Sequence, residues 1–234
     1  MLDNRKPFKN PPKKHHPRGL IIIYEDHDIV VVNKINGLLT MGTESERENT
    51  AYSLLTDYVK KGNARSKSRV FIVHRLDRET SGVLVFAKHE RGKRYLQDNW
   101  PSFSKKYFAV VHGHLLDKEG EISSYLLEDK RFRVASVNNT GKGKLSKTGY
   151  QVINTSRKYS LLEVTLFTGR KHQIRVHFSD EGHSVVGDKV YGVIEKGIKR
   201  LALHSASLKI RHPHTNEEMS FTTKVPDYFK TLVG

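Results

Sequence analysis

Val73-His-Arg-Leu-Asp-Arg-Glu-Thr-Ser-Gly82 runs directly into Val83-Leu-Val-Phe-Ala87. The first segment is crowded with polar and charged side chains. The second is wholly apolar, and its length and composition predict a buried strand. A loop that enters a buried strand is held by the sheet, so its side chains can be aimed accurately. One carboxylate, Asp77, stands between Arg75 and Arg78. Flanking positive charge keeps its proton off, and an ionised carboxylate is what a nucleophile requires. A charged surface turn is the alternative reading of the same residues.

The chain around this segment predicts more strands than helices. Leu20–Tyr24 and Asp28–Lys34 read as two buried strands joined by Glu25-Asp26-His27, and Asn36-Gly37 reads as a turn. Thr50–Lys61 has the spacing of an amphipathic helix, with Leu54, Leu55 and Tyr58 on its apolar side. A basic loop, Gly62–Arg69, follows it, and a polar helix is expected over Glu90–Asn99. Tyr107–His112 and Ser160–Phe167 predict further strands, and Leu201–Leu208 with Met219–Thr223 predict the closing ones. Between them Lys118–Lys147 is expected to mix short strands with charged turns, including a loop at Asn138–Gly143. A helix over Arg170–Glu181, capped by Gly182, completes the set. Helices and strands do not alternate regularly, which favours α+β over a doubly wound sheet.

Residues 1–18 stand apart. They hold Pro7, Pro11, Pro12 and Pro17 and six basic residues against the single acid Asp3. Proline blocks helices and sheet ladders and like charges repel, so an extended tail is expected, serving as a phosphate-tracking arm or a solubilising leader. Residues 19–234 are expected to form one domain.

Composition narrows the partners. The 234 residues carry 41 Lys plus Arg against 25 Asp plus Glu, a net charge of +16, which favours a polyanion as partner. There is no Cys, so a disulfide framework, zinc ribbon, iron–sulfur cluster or thiol nucleophile is excluded. No stretch approaches the ~20 apolar residues of a membrane span. The N-terminus lacks the apolar core of a secretory signal, and the expectation is a cytoplasmic protein with no membrane partner. Thirteen His invite a metal, but no H-E-x-x-H occurs, and His112-Gly-His114 and His212-Pro-His214 show no carboxylate cluster beside them. Neither metal nor cofactor is expected.

Two further clusters bear on chemistry. In Leu166–Phe178, Thr168-Gly169 breaks a strand and is expected to start a helix carrying Arg170, Lys171, His172 and Arg175. Cations at a helix N-terminus cost stability unless phosphate or carboxylate comes close. A solvated basic face is the plainer alternative. Lys105-Lys-Tyr107-Phe-Ala-Val places a phenol at the start of an apolar strand, a position that by itself reads as core.

Taken together, these clusters resemble the RluA family of RNA pseudouridine synthases. His74-Arg-Leu-Asp77 followed by Thr80-Ser-Gly82 looks like the family's catalytic signature. Lys34…Gly37-Leu-Leu39, Lys106-Tyr107-x-Ala109 and Gly169-Arg-x-His-Gln-Ile-Arg-Val-His177 fall in the family's order. Gly187-Asp-x-x-Tyr-Gly192, Arg200-Leu-x-Leu-His204 and His212-Pro-x-Thr215 follow, so the likeness extends from about Gly19 to the C-terminus. Ile35 stands where the family often has Pro, and the residues before Gly19 are too few for the S4 RNA-binding domain of many relatives.

The resemblance implies a mixed, largely antiparallel sheet flanked by helices, with an RNA-binding cleft. It also implies isomerisation of a uridine in ribosomal or transfer RNA, with the base detached from the ribose and rejoined through carbon rather than nitrogen. Asp77 would be the nucleophile, Tyr107 would pack on the uracil and accept a proton, and Arg175 would pair with Asp77. Arg75 would fill the gap left by the flipped nucleotide, and His74, Arg78, Arg170, Lys171 and His172 would contact RNA. The partner is RNA and the expected state a monomer. Base flipping costs about a few kcal/mol, which phosphate contacts and stacking on a phenol offset. A non-catalytic RNA-binding or ribosome-assembly protein with the same fold is the alternative. A glycosylase or nuclease using Asp77 with Glu79 is a second, more remote one.

Overall fold

The structure, a computed structural model, describes residues 16–44, 46–138 and 141–234. Residues 1–15 of the expected tail, and residues 139–140 of the expected 138–143 loop, lie outside the described residues.

In chain order the strands are β1 (Leu20–Glu25), β2 (Ile29–Lys34), β3 (Phe71–Ile72), β4 (Ser81–Ala87), β5 (Ser104–His112), β6 (Glu119–Glu128), β7 (Val134–Val137), β8 (Lys144–Thr155), β9 (Tyr159–Leu166), β10 (Leu203–Arg211) and β11 (Glu218–Thr222). The helices are α1 (Ala51–Lys60), α2 (Glu90–Asp98), α3 (Gln173–Asp180) and α4 (Asp227–Val233). The fold is α+β, a mixed sheet architecture with few helices, as the residue pattern predicts.

Two compact units divide the chain. The first comprises Met1–Phe103 and Ser207–Thr223, the second Ser104–Ala206 and Lys224–Gly234. In the first, β2 pairs antiparallel with β1 and β4, β3 pairs with β4, and the Ser207–Arg211 half of β10 pairs with β11. Ile29–Val32 and the whole of β4 are buried, so their side chains are apolar on both faces of the strand rather than alternating. One face of these strands, Ile29, Val31, Val83, Val85 and Ala87, packs with Val73, Leu96, Phe103, Leu208, Ile210 and Phe221 in a core of this unit. Helix α1 opens on a capping box, in which the Thr50 side chain accepts from the Ser53 N–H and Ser53 Oγ accepts from the Thr50 N–H. Its buried stripe is Ala51, Leu55 and Val59, while Leu54 and Tyr58, expected on the apolar side, are only half-buried.

In the second unit the antiparallel ladder runs β5–β9–β8–β6–β7. Here β6 and β8 are long strands of 10 and 12 residues, where short strands and turns are expected. Both are largely exposed and polar, which hides strand character from a hydrophobic pattern. Val110, Leu161, Val186, Ala202, Phe229 and Val233 form a core into which α4 is packed.

Candidate active site

The Asp77 loop is built wholly within the first unit. Leu76 is buried and fixed from both sides by Thr40, whose Oγ1 donates to the Leu76 carbonyl at 2.8 Å and accepts from its N–H at 3.1 Å. His74 Nε2 accepts from the Val85 N–H of β4 at 3.2 Å, and its ring stacks on Trp100 with centroids 4.3 Å apart. Beyond Asp77 the chain turns, with the Thr80 N–H donating to the Asp77 carbonyl at 3.1 Å. Gly37, at φ +83°, donates its N–H to the Arg78 carbonyl at 2.8 Å. Only glycine occupies such a φ without a Cβ penalty, which accounts for Asn36-Gly37 as the turn that abuts this loop.

Lys34 ties the two segments together. Its side chain is fully buried, and its ammonium donates to the carbonyls of Leu38 (2.7 Å), Ile35 (3.0 Å) and Arg78 (3.2 Å). Burial pulls this lysine down to about 7, against the opposing pull of the Asp77 and Glu79 carboxylates. Three acceptors match the three donors of an ammonium, so the charged form completes the arrangement. Asp77 is half-buried in the field of that cation, and Arg75 and Arg78 are exposed. Glu79 is turned to Asn36, which donates to it at 3.0 Å.

The other predicted residues belong to the second unit. Tyr107 lies on β5 opposite Val164 and is buried. Arg170, Lys171 and His172 do not begin the helix as expected. His172 adopts φ +55°, and α3 starts at Gln173. Gln173 organises the entry instead: its Oε1 accepts from Thr168 Oγ1 (2.7 Å) and the Arg170 N–H (3.0 Å), and its Nε2 donates to Lys147 O and Thr148 Oγ1. Arg170, Lys171 and His172 therefore precede the first turn, and Arg175, which lies within it, is compensated by the Asp188 carboxylate. His172 Nδ1 meets the Tyr191 hydroxyl at 2.8 Å, and Lys171 donates to Glu128 at 2.6 Å.

Arg175 is buried within α3 and grips Asp188 with two bonds, Nε to Oδ2 at 2.6 Å and Nη2 to Oδ1 at 2.9 Å. Burial would raise the Asp188 carboxyl, but Arg175 and the backbone N–H groups of Tyr191 and Val190 outweigh it and hold the carboxyl below its ordinary range. Asp188 is not among the residues that the sequence singles out for the site. Its signal is the motif Gly187-Asp-x-x-Tyr-Gly192, in which Gly187 sits at φ +79° and a Cβ would lie 2.2 Å from the Arg200 carbonyl. Only glycine fits, and the turn it permits delivers Asp188 to Arg175.

His212 has carboxylates beside it after all. The fold brings Asp26 and Asp28 to it across 186 positions of sequence, with His212 Nε2 2.8 Å from Asp26 Oδ2. Asp26 also accepts from the Tyr24 hydroxyl and from the N–H groups of Asp28 and Ile29, while Asp28 pairs with His89. His212 Nδ1 faces the His214 and Thr215 N–H groups, so its proton belongs on Nε2, and the trio is a satisfied hydrogen-bond network. Burial raises Asp26, but His212 and the other donors overcome it and set the carboxyl at about 2. A carboxyl lowered on folding contributes stability above its unfolded pKa, and that stability is lost as pH falls through the folded value. Asp26→Asn is therefore expected to cost about 2 kcal/mol at pH 7 and progressively less from about pH 4 to pH 2. Chemical denaturation of both proteins across that range checks it, and a pH-independent difference would refute it.

The pattern of the RNA pseudouridylate synthase family matches residues 28–180, more than half of the chain, and the chain belongs to that family. It is 34% identical to ribosomal large subunit pseudouridine synthase D of Zymomonas mobilis, over 94% of this chain and 74% of that protein. It is 35% identical to the dual-specificity RNA pseudouridine synthase RluA of Vibrio cholerae, over 88% of this chain and 82% of that one. Among solved structures, human RNA Pseudouridylate Synthase Domain Containing 1 superposes with a TM-score of 0.73 at 26% identity, covering 92% of this chain and 86% of its own. The resemblance drawn from the motifs is thus correct. The chain is an isomerase acting on uridine in RNA, which sets aside a non-catalytic RNA-binding protein. Among the described residues no helix is long and apolar enough to cross a membrane.

Proposed function

We propose that this protein converts specific uridines of ribosomal or transfer RNA to pseudouridine, with Asp77 as nucleophile. The Asp77 carboxylate attacks the ribose or the base of the extruded nucleoside, and the bond between C1′ and N1 breaks. The detached uracil turns, C5 bonds to C1′, the bond to Asp77 breaks and frees its carboxylate, the C5 proton leaves and N1 regains a proton. The atomic composition of the RNA is unchanged. Tyr107 packs on the uracil and takes the C5 proton, where Phe could only stack. Arg175, oriented by Asp188, pairs with Asp77 and orients it, and Arg75 occupies the space the nucleotide leaves. His74, Arg78, Arg170, Lys171 and His172 complete the RNA contacts of a cytoplasmic monomer.

The observation that carries this reading is the clamping of the Asp77 loop by Thr40, His74 and the buried Lys34 ammonium. So many fixed contacts around one short polar segment suit a carboxylate that must be aimed, and a solvated surface turn needs none of them. Carbodiimide mapping of pseudouridines in total RNA, from cells with and without the protein, tests the proposal. Discrete sites are expected to vanish without the protein and return on re-expression. Identical maps would overturn it.

A further inference from the structure

The hairpin between β6 and β7 ends in Asp129-Lys-Arg-Phe-Arg133, a five-residue loop with three cations and one aromatic. Its shape is fixed internally. Asp129 Oδ1 accepts from the N–H groups of Arg131 (2.8 Å) and Arg133 (2.9 Å), and the Asp129 N–H donates to the Arg133 carbonyl at 2.8 Å. From the second unit's α3 entry, Lys171 donates to the Phe132 carbonyl at 2.9 Å and lies 5.3 Å from the Phe132 ring centroid. Despite this anchoring, Phe132 is 72% exposed and sits at φ +61°. A bulky residue in the left-handed region carries a steric penalty, and burial does not offset it here. An observed outlier of that kind points to a use for the ring in solvent.

Beside the loop is a cavity of about 350 Å³, with Leu126 and Val134 on its apolar side. Lys142, Lys144, Arg170 and Lys171 also line it. Lys171 is neutralised by Glu128, but no ion pair holds Lys142, Lys144 or Arg170 among the described residues. A rigid, exposed aromatic next to uncompensated cations is the chemistry that recognises single-stranded nucleic acid, where a base stacks on the ring and phosphates meet the cations.

We infer that the Asp129–Arg133 hairpin tip and the Lys142–Lys144–Arg170 cavity form a substrate-recognition site, with an unpaired base of the RNA stacked on Phe132 and adjoining phosphates held by the cations. This rests on the reading of the chain as an RNA-modifying isomerase and adds where the RNA outside the target nucleotide is gripped. Rejoining through C5 releases the hydrogen of that carbon, so tritium release from [5-³H]uridine-labelled total RNA of cells lacking the protein reports turnover. At subsaturating RNA, Phe132→Ala is expected to slow release about 5- to 150-fold, the range spanned by removing one stacked base. Phe132→Trp is expected to stay within about twofold of the parent, because stacking is retained. Lys142→Ala with Lys144→Ala is expected to weaken RNA binding and flatten its log–log salt dependence by about 0.7 for each phosphate no longer neutralised. Phe132→Gly, which relaxes φ, is expected to slow release as Phe132→Ala does while melting no earlier than the parent, which separates recognition from folding. If Phe132→Ala keeps the parent rate, or Phe132→Trp falls with it, the stacking site is refuted. An unchanged salt slope refutes the phosphate contacts. If the parent itself releases no tritium, the failure lies in the enzymatic reading instead.

Discussion

Asp77→Asn is expected to abolish pseudouridine formation, by on the order of 10³-fold or more, while RNA affinity stays equal or rises. Asparagine keeps the shape of the side chain and leaves the residue-77 backbone carbonyl to accept from Thr80, so the loop should hold its conformation. What disappears is the anionic oxygen able to form and release a bond to carbon. Removing a negative charge from a surface that receives phosphates also removes a repulsion, which accounts for the sign of the binding change. A mutant that was merely unfolded would lose both properties together. Pseudouridine yield and RNA affinity, measured on one preparation, decide between these outcomes. Product at the parent level would end the assignment of Asp77.

Asp188→Ala should have the largest effect on stability. The pair it forms with Arg175 is buried, with side-chain exposures of 8% for the arginine and 0% for the aspartate. Breaking a buried pair from one side leaves the other charge without compensation, at about 3–5 kcal/mol. The same substitution leaves the Val190 and Tyr191 N–H groups without their acceptor and frees Arg175 to leave its rotamer. A lower melting temperature is expected together with loss of turnover. Because Asp188 titrates below its ordinary range, the stabilisation it gives is present above the unfolded carboxylate pKa and fades as pH drops through the folded one. Urea denaturation at neutral pH measures the difference, and a change below about 1 kcal/mol would show that the pair is dispensable to the fold.

Much of the strand framework can be read directly from local pattern. Leu20–Ile23, Ile29–Val32 and Val83–Ala87 are aliphatic runs bounded by turn residues, and each is a strand. The Asp77 segment is equally legible, since its charges abut a strand buried along its whole length. Legibility fails where partners are remote. Nothing near His212 in sequence announces Asp26, and Arg175 finds Asp188 only because Gly187 admits a φ closed to other residues. It fails too where amphipathic contrast is weak: β8 exposes half of its residues, and the three residues before Gln173 carry helix-like composition that His172's left-handed backbone interrupts. The loop at Phe132 is illegible for a related reason. An aromatic among arginines and lysines reads as core or as charge run, and only its exposure separates those from a contact surface.

The strand Leu203–Arg211 contributes its first four residues to one unit and the rest to the other, and the chain enters each unit twice. No single cut in the gene therefore yields two fragments that each hold one unit whole. Cleavage between Phe103 and Ser104 would strip the first of Ser207–Thr223, which supplies Leu208, Ile210 and Phe221 to its core. Separating the two calls for joining the two segments of each unit directly through a new linker, or for co-expression of complementary pieces.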